Sequence, residues 1–353
     1  MAERLHKVIE SHYLETNEGL FFAVKGLVHP PDRFLACLRY VPDPTGDRQK
    51  EGRCYRRLYH FAEQEQLLRA EYAQYLTFDP MCQTTLQSVP RQCLRRVYDP
   101  CARLQELRQK PERDVVEEDA LAFARLLQRE AGIPWTSLGI SGSLLIGLHT
   151  PASDLDVTIY GGQNCWAVQR ALKRLLADET SEVGRLDEQG VRELYASRLA
   201  DTHMSFSDFV SSEREKVIQG RFRGRRYFLR FLKAPAEVGE RYGDRRYVPL
   251  GRVAIEATVT DASEAIFTPC RYFLAGVRLL GSSGDGGVAP PCVSTVGGLS
   301  EIVSFRGRFC EQAQAGDIAR ASGALELVQA RDGRSWHRLL LGNHPEDAML
   351  ARR

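Results

Sequence analysis

Residues 139–160 read Gly-Ile-Ser-Gly-Ser-Leu-Leu-Ile-Gly-Leu-His-Thr-Pro-Ala-Ser-Asp-Leu-Asp-Val-Thr-Ile-Tyr. The pair Gly142-Ser143 opens an apolar turn, and Asp154 and Asp156 follow at the head of a β-prone run. A strand points residues i and i+2 to one face, so the two carboxylates project together while Leu155, Val157 and Ile159 turn toward a core. Two like charges held side by side are costly unless a cation lies between them. Magnesium suits such a pair, because it takes hard oxygen ligands from one or two carboxylates together with substrate phosphates. The Gly-Ser turn complements it. A helix start offers free backbone N–H groups to an anion, Gly142 lets a phosphate approach the backbone, and Ser143 adds a hydroxyl donor.

On these residues the stretch resembles the signature of the DNA polymerase β-like nucleotidyltransferase superfamily: a Gly-Ser turn, a spacer of about ten residues, then Asp-x-Asp. The resemblance implies a mixed α/β core and two magnesium ions, with manganese as a substitute. It also implies attack by an acceptor hydroxyl on the α-phosphate of a nucleoside triphosphate such as ATP, with pyrophosphate leaving. Gly142 and Ser143 would hold the β- and γ-phosphates, and Asp154 and Asp156 would bind the metals. More loosely, the whole chain resembles a set of predicted nucleotidyltransferases known mostly from archaea.

The superfamily sets a third carboxylate on a later neighbouring strand. The best later strand is 253–260, in which Glu256 is the sole acid; Asp261, one residue past it, is the alternative. An earlier strand, Tyr227 to Leu232, could also flank the Asp pair, but it carries Arg230 where an acid would be needed. A guanidinium there could bind triphosphate, or it could be an ordinary surface residue.

Around the motif, 115–131 has helical spacing with Gly132 as its stop, and 165–177 reads as a second amphipathic helix. Residues 135–140 read as the strand between helix and turn. The expected fold is α/β (α+β): a mixed-sheet catalytic core over 111–280, preceded by an α+β module at 1–110. A Gly-rich linker at 281–292 leads to a small β-rich module at 293–353. In the first module 20–28 and 34–41 read as a hairpin; no catalytic constellation is evident there, and its role stays open.

Composition narrows the class. With 43% hydrophobic and 27% charged residues the chain is that of a globular protein. No apolar run is long enough to span a membrane and the first residues lack a signal-peptide core, so a cytoplasmic location without membrane partners is expected. The nine cysteines form no C-x-x-C pair, which argues for reduced thiols and against structural zinc. A net charge of +2 gives no global basic field. A local one exists at 221–233, where Arg221, Arg223, Arg225 and Arg226 alternate with Phe222, Tyr227 and Phe228. That mixture suits RNA or DNA, and suits a triphosphate equally. The acceptor expected first is therefore an RNA or DNA 3′ end, with a protein hydroxyl or a small molecule next. A different class, a silent nucleic-acid- or partner-binding module on the same fold, also stands. Oligomeric state is not readable.

Overall fold

A computed structural model of the chain describes residues 8–199, 204–284, 290–291 and 296–352. It is a mixed α+β structure in two compact units. The first unit takes the residues up to Thr77, Leu86–Leu186 and Val217–Glu240; the second takes Phe78–Thr85, Asp187–Lys216 and Arg241 onward.

The first unit opens with an eight-stranded sheet. Its strands are β1 (Tyr13–Thr16), β2 (Phe21–Val24), β3 (Arg33–Pro42), β4 (Arg48–Lys50), β5 (Arg53–Arg57), β6 (Leu76–Asp79), β7 (Thr84–Pro90) and β8 (Leu94–Tyr98). The main path runs β4-β5-β3-β2-β1-β8, with β7 on β3 and β6 on β7. The expected hairpin of 20–28 and 34–41 is present as the antiparallel pair β2–β3. One face packs Leu14, Phe22, Leu38 and Leu68, the last on helix α1 (Phe61–Glu71). The other face packs Phe21, Tyr40, Tyr55 and Tyr98 against Leu145, Ile146 and Leu148, which flank the Gly-Ser turn.

A boundary at residue 110 therefore does not exist in the folded chain. The N-terminal sheet and the motif share one apolar layer, and sealing it removes from water the rings that β2, β3, β5 and β8 present on that face.

Helix α2 (Pro100–Gln109) leads to α3 (Val115–Ala131). Helix α3 starts on a reciprocal cap between Asp114 and Glu117 and stops at Gly132, whose φ of 64° ends the helix in the left-handed region. Its Val116, Ala120, Phe123, Ala124 and Leu127 are buried. Trp135–Ser137, expected as strand, instead forms a 3₁₀ turn held by the Ser137 hydroxyl on Pro134 O (2.7 Å). Then come β9 (Leu138–Ile140), α4 (Gly142–Ile146), β10 (Leu155–Tyr160), α5 (Gly162–Leu175), β11 (Val183–Gly184), β12 (Gln219–Phe222) and β13 (Arg225–Leu232). These strands form a five-stranded sheet in the order β11-β12-β13-β10-β9. Only β10–β13 is parallel within it. Helices α3 and α5 cover one side, with the Phe123 ring 4.9 Å from Phe222 and 4.8 Å from Tyr227.

The second unit contains α6 (Glu188–Arg198), α7 (Phe206–Glu213) and strands β14 (Arg245–Asp261), β15 (Cys270–Ser283), β16 (Leu299–Ser304), β17 (Ile318–Ala330), β18 (Ser335–Leu341) and β19 (Ala348–Arg352). The path β14-β15-β16-β18-β17 closes on itself because β17 also pairs with β14, and β19 extends it. The result is a five-stranded barrel with one parallel contact, β16–β18. Val253, Ile255, Ala257 and Val259 alternate into its interior with Tyr272, Ala319, Ala321, Leu325 and Leu339.

This closure overturns the division at 280. Strands β14 and β15, assigned by sequence to the core, pair with the C-terminal strands and belong to the barrel. Gly281–Ser283 ends β15 and is not linker, while residues 285–289 and 292–295 lie outside the described residues. Among the described residues no helix is long and apolar enough to cross a membrane, and the eight cysteines among them are free.

Candidate active site

Strand β10 carries the site. Asp154 is exposed just before it, Asp156 is half-buried, and Thr158 on the same side is fully buried. The alternate residues Leu155, Val157 and Ile159 are at most 1% exposed, which anchors the strand in the core. Its parallel neighbour sets Phe228 opposite Asp156 and Arg230 opposite Thr158. No acid therefore stands beside the pair on β13.

The Gly-Ser turn closes over this strand. Ser141 N–H donates to Asp156 O (2.8 Å), and the Ser141 hydroxyl donates to Ser11 O (2.8 Å). Gly142 has φ +62°, and a Cβ added there would overlap Asp156 Oδ2 and lie 2.7 Å from its Cγ. Only glycine fits so close to a carboxylate in this left-handed conformation. Ser143 points elsewhere: its hydroxyl donates to Ser153 Oγ (3.2 Å), which also accepts from Thr150 N (2.9 Å). A strap from the N-terminal sheet fastens the same loop. Lys50 donates to Ile146 O (2.8 Å), and Arg48 donates to Leu148 O (3.2 Å) and Ser153 Oγ (3.3 Å).

Asp156 and Gly142 line a cleft with Lys25, Arg39, Arg57 and Arg230. Glu10, also in the lining, is 1% exposed and is shared by Lys25 (2.8 Å), Arg230 (2.7 Å) and Gly26 N (2.7 Å). Burial alone would push the Glu10 carboxyl up; Lys25 and Arg230 outweigh it and hold the group below its ordinary range. Asp156 goes the other way. Burial first and the Asp154 charge second raise its pKa, against opposition from Arg230, Arg57 and Arg39. Three buried polar atoms of residues lining the cleft, Ser11 Oγ, Thr158 Oγ1 and Arg57 Nε, have no hydrogen-bond partner among the described residues. Ser11 also sits at φ 77°, a strained conformation of the kind that gathers at functional sites.

Of the residues singled out by sequence, Asp156, Gly142 and Arg230 line one cleft, with Asp154 close enough to Asp156 to raise its pKa; Ser143 is committed to Ser153. Glu256 is not on a strand of their sheet. It lies on β14 of the barrel, a different sheet, where Arg278 (2.6 Å) and Arg320 (2.7 Å) clasp its carboxylate and hold its pKa down. Asp261, at the end of the same strand, accepts from Ser263 N (2.7 Å) and is held low by that bond. The expectation that this strand lies beside the Asp pair does not hold, because a later strand with one acid on its polar face looks alike whether it joins the motif's sheet or closes a barrel. Sequence reasoning missed Lys25, Arg39, Arg57, Glu10 and Ser11, all in the N-terminal module. The one signal was charge on the face of β3 opposite Phe34, Ala36 and Leu38.

The donor set suits a hard divalent cation: two carboxylates two residues apart, one with a pKa that the other helps to raise and that a cation would relieve. With no third acid on β13, phosphate oxygens and water would supply the other ligands. A second cluster, Asp114, Glu117 and His149, brings ligand atoms within 4.8 Å of one another. Its acids are already engaged, Asp114 as the cap of α3 and Glu117 with Arg103 (2.9 Å) and Lys110 (2.6 Å).

The chain is 29% identical over 348 residues to an uncharacterized protein of Methanocaldococcus jannaschii, covering 96% of this chain and 97% of that one. The likeness thus runs through both units. No family model matches, and no solved structure matches.

Proposed function

We propose that this chain is a magnesium-dependent nucleotidyltransferase, moving a nucleoside monophosphate from a triphosphate to an acceptor hydroxyl with release of pyrophosphate. One observation carries the reading. Asp156, pressed against the backbone of Gly142 and two residues from Asp154, opens onto a cleft lined by four basic side chains. Cation-binding and anion-binding groups in one cavity suit a metal–polyphosphate, since neither partner alone satisfies both.

Asp154 and Asp156 would hold the metal, which supplies charge neutralisation at the phosphates. Gly142, lacking a side chain, lets the Asp156 carboxylate lie against the turn and keep its place in the cleft. Arg230, braced by Glu10, presents fixed positive charge to a phosphate there, so the contribution of the chain is alignment and preorganised electrostatics. An RNA or DNA 3′ end remains the favoured acceptor. Support comes from the second unit, because small five-stranded barrels are an architecture that oligonucleotide binders use. A protein hydroxyl or a small molecule is the next acceptor class.

A second reading is a silent binding module, and it has its own observation: β13 brings Phe228 and Arg230, not an acid, beside Asp156. Transfer of label from each α-labelled ribonucleoside triphosphate separates the two. Total RNA, single-stranded DNA or the protein itself is offered, with magnesium or manganese. Active transfer should fall at least about 100-fold in Asp156→Ala, since even outer-shell partners of a metal cost up to that much. Transfer that persists unchanged in the variant would sink the assignment; metal-dependent nucleotide binding without transfer would favour the silent module.

A further inference from the structure

Two of the four cations in the cleft are unlike the others. Lys25 and Arg230 share Glu10. Arg39 and Arg57 form no ion pair among the described residues, and Arg57 Nε is buried without an acceptor. Their placement is built in. Along β2–β3 the register runs Phe21↔Tyr40 and then Phe22↔Leu38, so Arg39 is the extra residue of a bulge. Bulges re-aim a side chain that regular alternation would send elsewhere. Arg57 stands opposite Tyr40 on β5, and its guanidinium lies 4.7 Å from the Tyr59 ring centroid, a stack that limits its freedom. Beyond the two arginines, fully buried Thr158 and nearly buried Ser11 face the same cleft with unpartnered hydroxyls.

We propose that Arg39 and Arg57, contributed by the N-terminal sheet, are the polyphosphate-binding arms of this cleft, taking the terminal phosphates of the nucleoside triphosphate. The proposal rests on the nucleotidyltransferase reading and gives the N-terminal module its role. Guanidinium forks pair with phosphate oxygens in bidentate fashion, and two forks without an ion pair among the described residues, in one cleft with Asp156, match a polyanion that carries a metal. Ser11 and Thr158 add hydroxyl donors to the same oxygens.

The test uses the full chain and magnesium tripolyphosphate, which needs neither base nor acceptor. Calorimetric titration should show binding to the wild type. It should be weaker by about 10-fold or more in Arg39→Met and in Arg57→Met, the scale of one charge-assisted contact. Arg278→Met on the barrel should bind like the wild type. If Arg57→Met fails to fold, Arg57→Lys, which keeps charge but loses the fork, should bind between the two extremes. Unchanged binding in both arginine variants overturns the proposal, as does a wild type that transfers nucleotides yet ignores tripolyphosphate. Binding that depends on both arginines in a protein showing no transfer upholds the arms and removes the transferase reading instead.

Discussion

Asp156 concentrates the physics of the site. Its carboxyl is pushed up by burial and by Asp154, so the folded state keeps a proton over a pH window in which the unfolded chain, near 3.9, has lost it. The stability this group contributes is present below the unfolded value and is lost as pH rises through the folded one. Removing the charge should therefore help the metal-free protein. Asp156→Asn should melt above the wild type at neutral pH without divalent ions, with the gap closing as pH falls toward 4. Magnesium should then raise the melting temperature of the wild type alone, because only a ligand of the native state stabilises it. A variant that melts below the wild type at neutral pH would contradict this account of the site. At this level the sequence was informative: the i, i+2 alternation alone turned Asp156 away from the core that Leu155, Val157 and Ile159 enter. What it did not show was that Ser143 would be spent on Ser153, a contact set by how the intervening loop folds back.

Elements were legible where local rules sufficed. Helix α3 carries its periodicity, its Asp114–Glu117 cap and its glycine stop within one continuous stretch, and it forms over the expected residues. Strand β13 was expected as a possible flank of the Asp pair and takes that place. The bulge at Arg39 was not legible, because it depends on how β2 registers against β3, two segments whose separate patterns look regular. The Gly-Ser turn lies between these cases. Its glycine is readable, but the reason for it is a strand 14 positions on, Asp156. Gly142→Ala should combine the cost of a left-handed alanine with collision against that carboxylate, destabilising the protein by about 1–3 kcal/mol. It should also remove nucleotide transfer. Urea unfolding beside the label assay measures both, and an alanine variant as stable and active as the wild type would show that the turn is not pressed on Asp156 in solution.

Across the chain, the compact units interleave in sequence, with 78–85 and 187–216 grouped with the barrel. The tip of the β6–β7 hairpin joins it through Tyr247 N–H on Met81 O (2.6 Å) and Tyr242 OH on Asp79 (3.0 Å). Cuts at the boundaries that composition suggests should therefore fail. A chain ending at residue 280 keeps most of β14 and β15 but loses β16 to β19, leaving Val253, Ile255 and Val259 without the strands that cover them. It should be insoluble or open to protease, as unpaired apolar strands are, while the full chain is not. A soluble, protected 1–280 fragment would restore the boundary. The sequence by itself determined the motif and the mixed α+β character, because each follows from residues close together in the chain. Only the tertiary structure decided that the strand of Glu256 lies outside the motif's sheet and that the N-terminal sheet walls the cleft. The physical reason is strand pairing. It joins segments dozens of residues apart through backbone hydrogen bonds that carry little residue-specific signal, and with them it decides which side chains share a site.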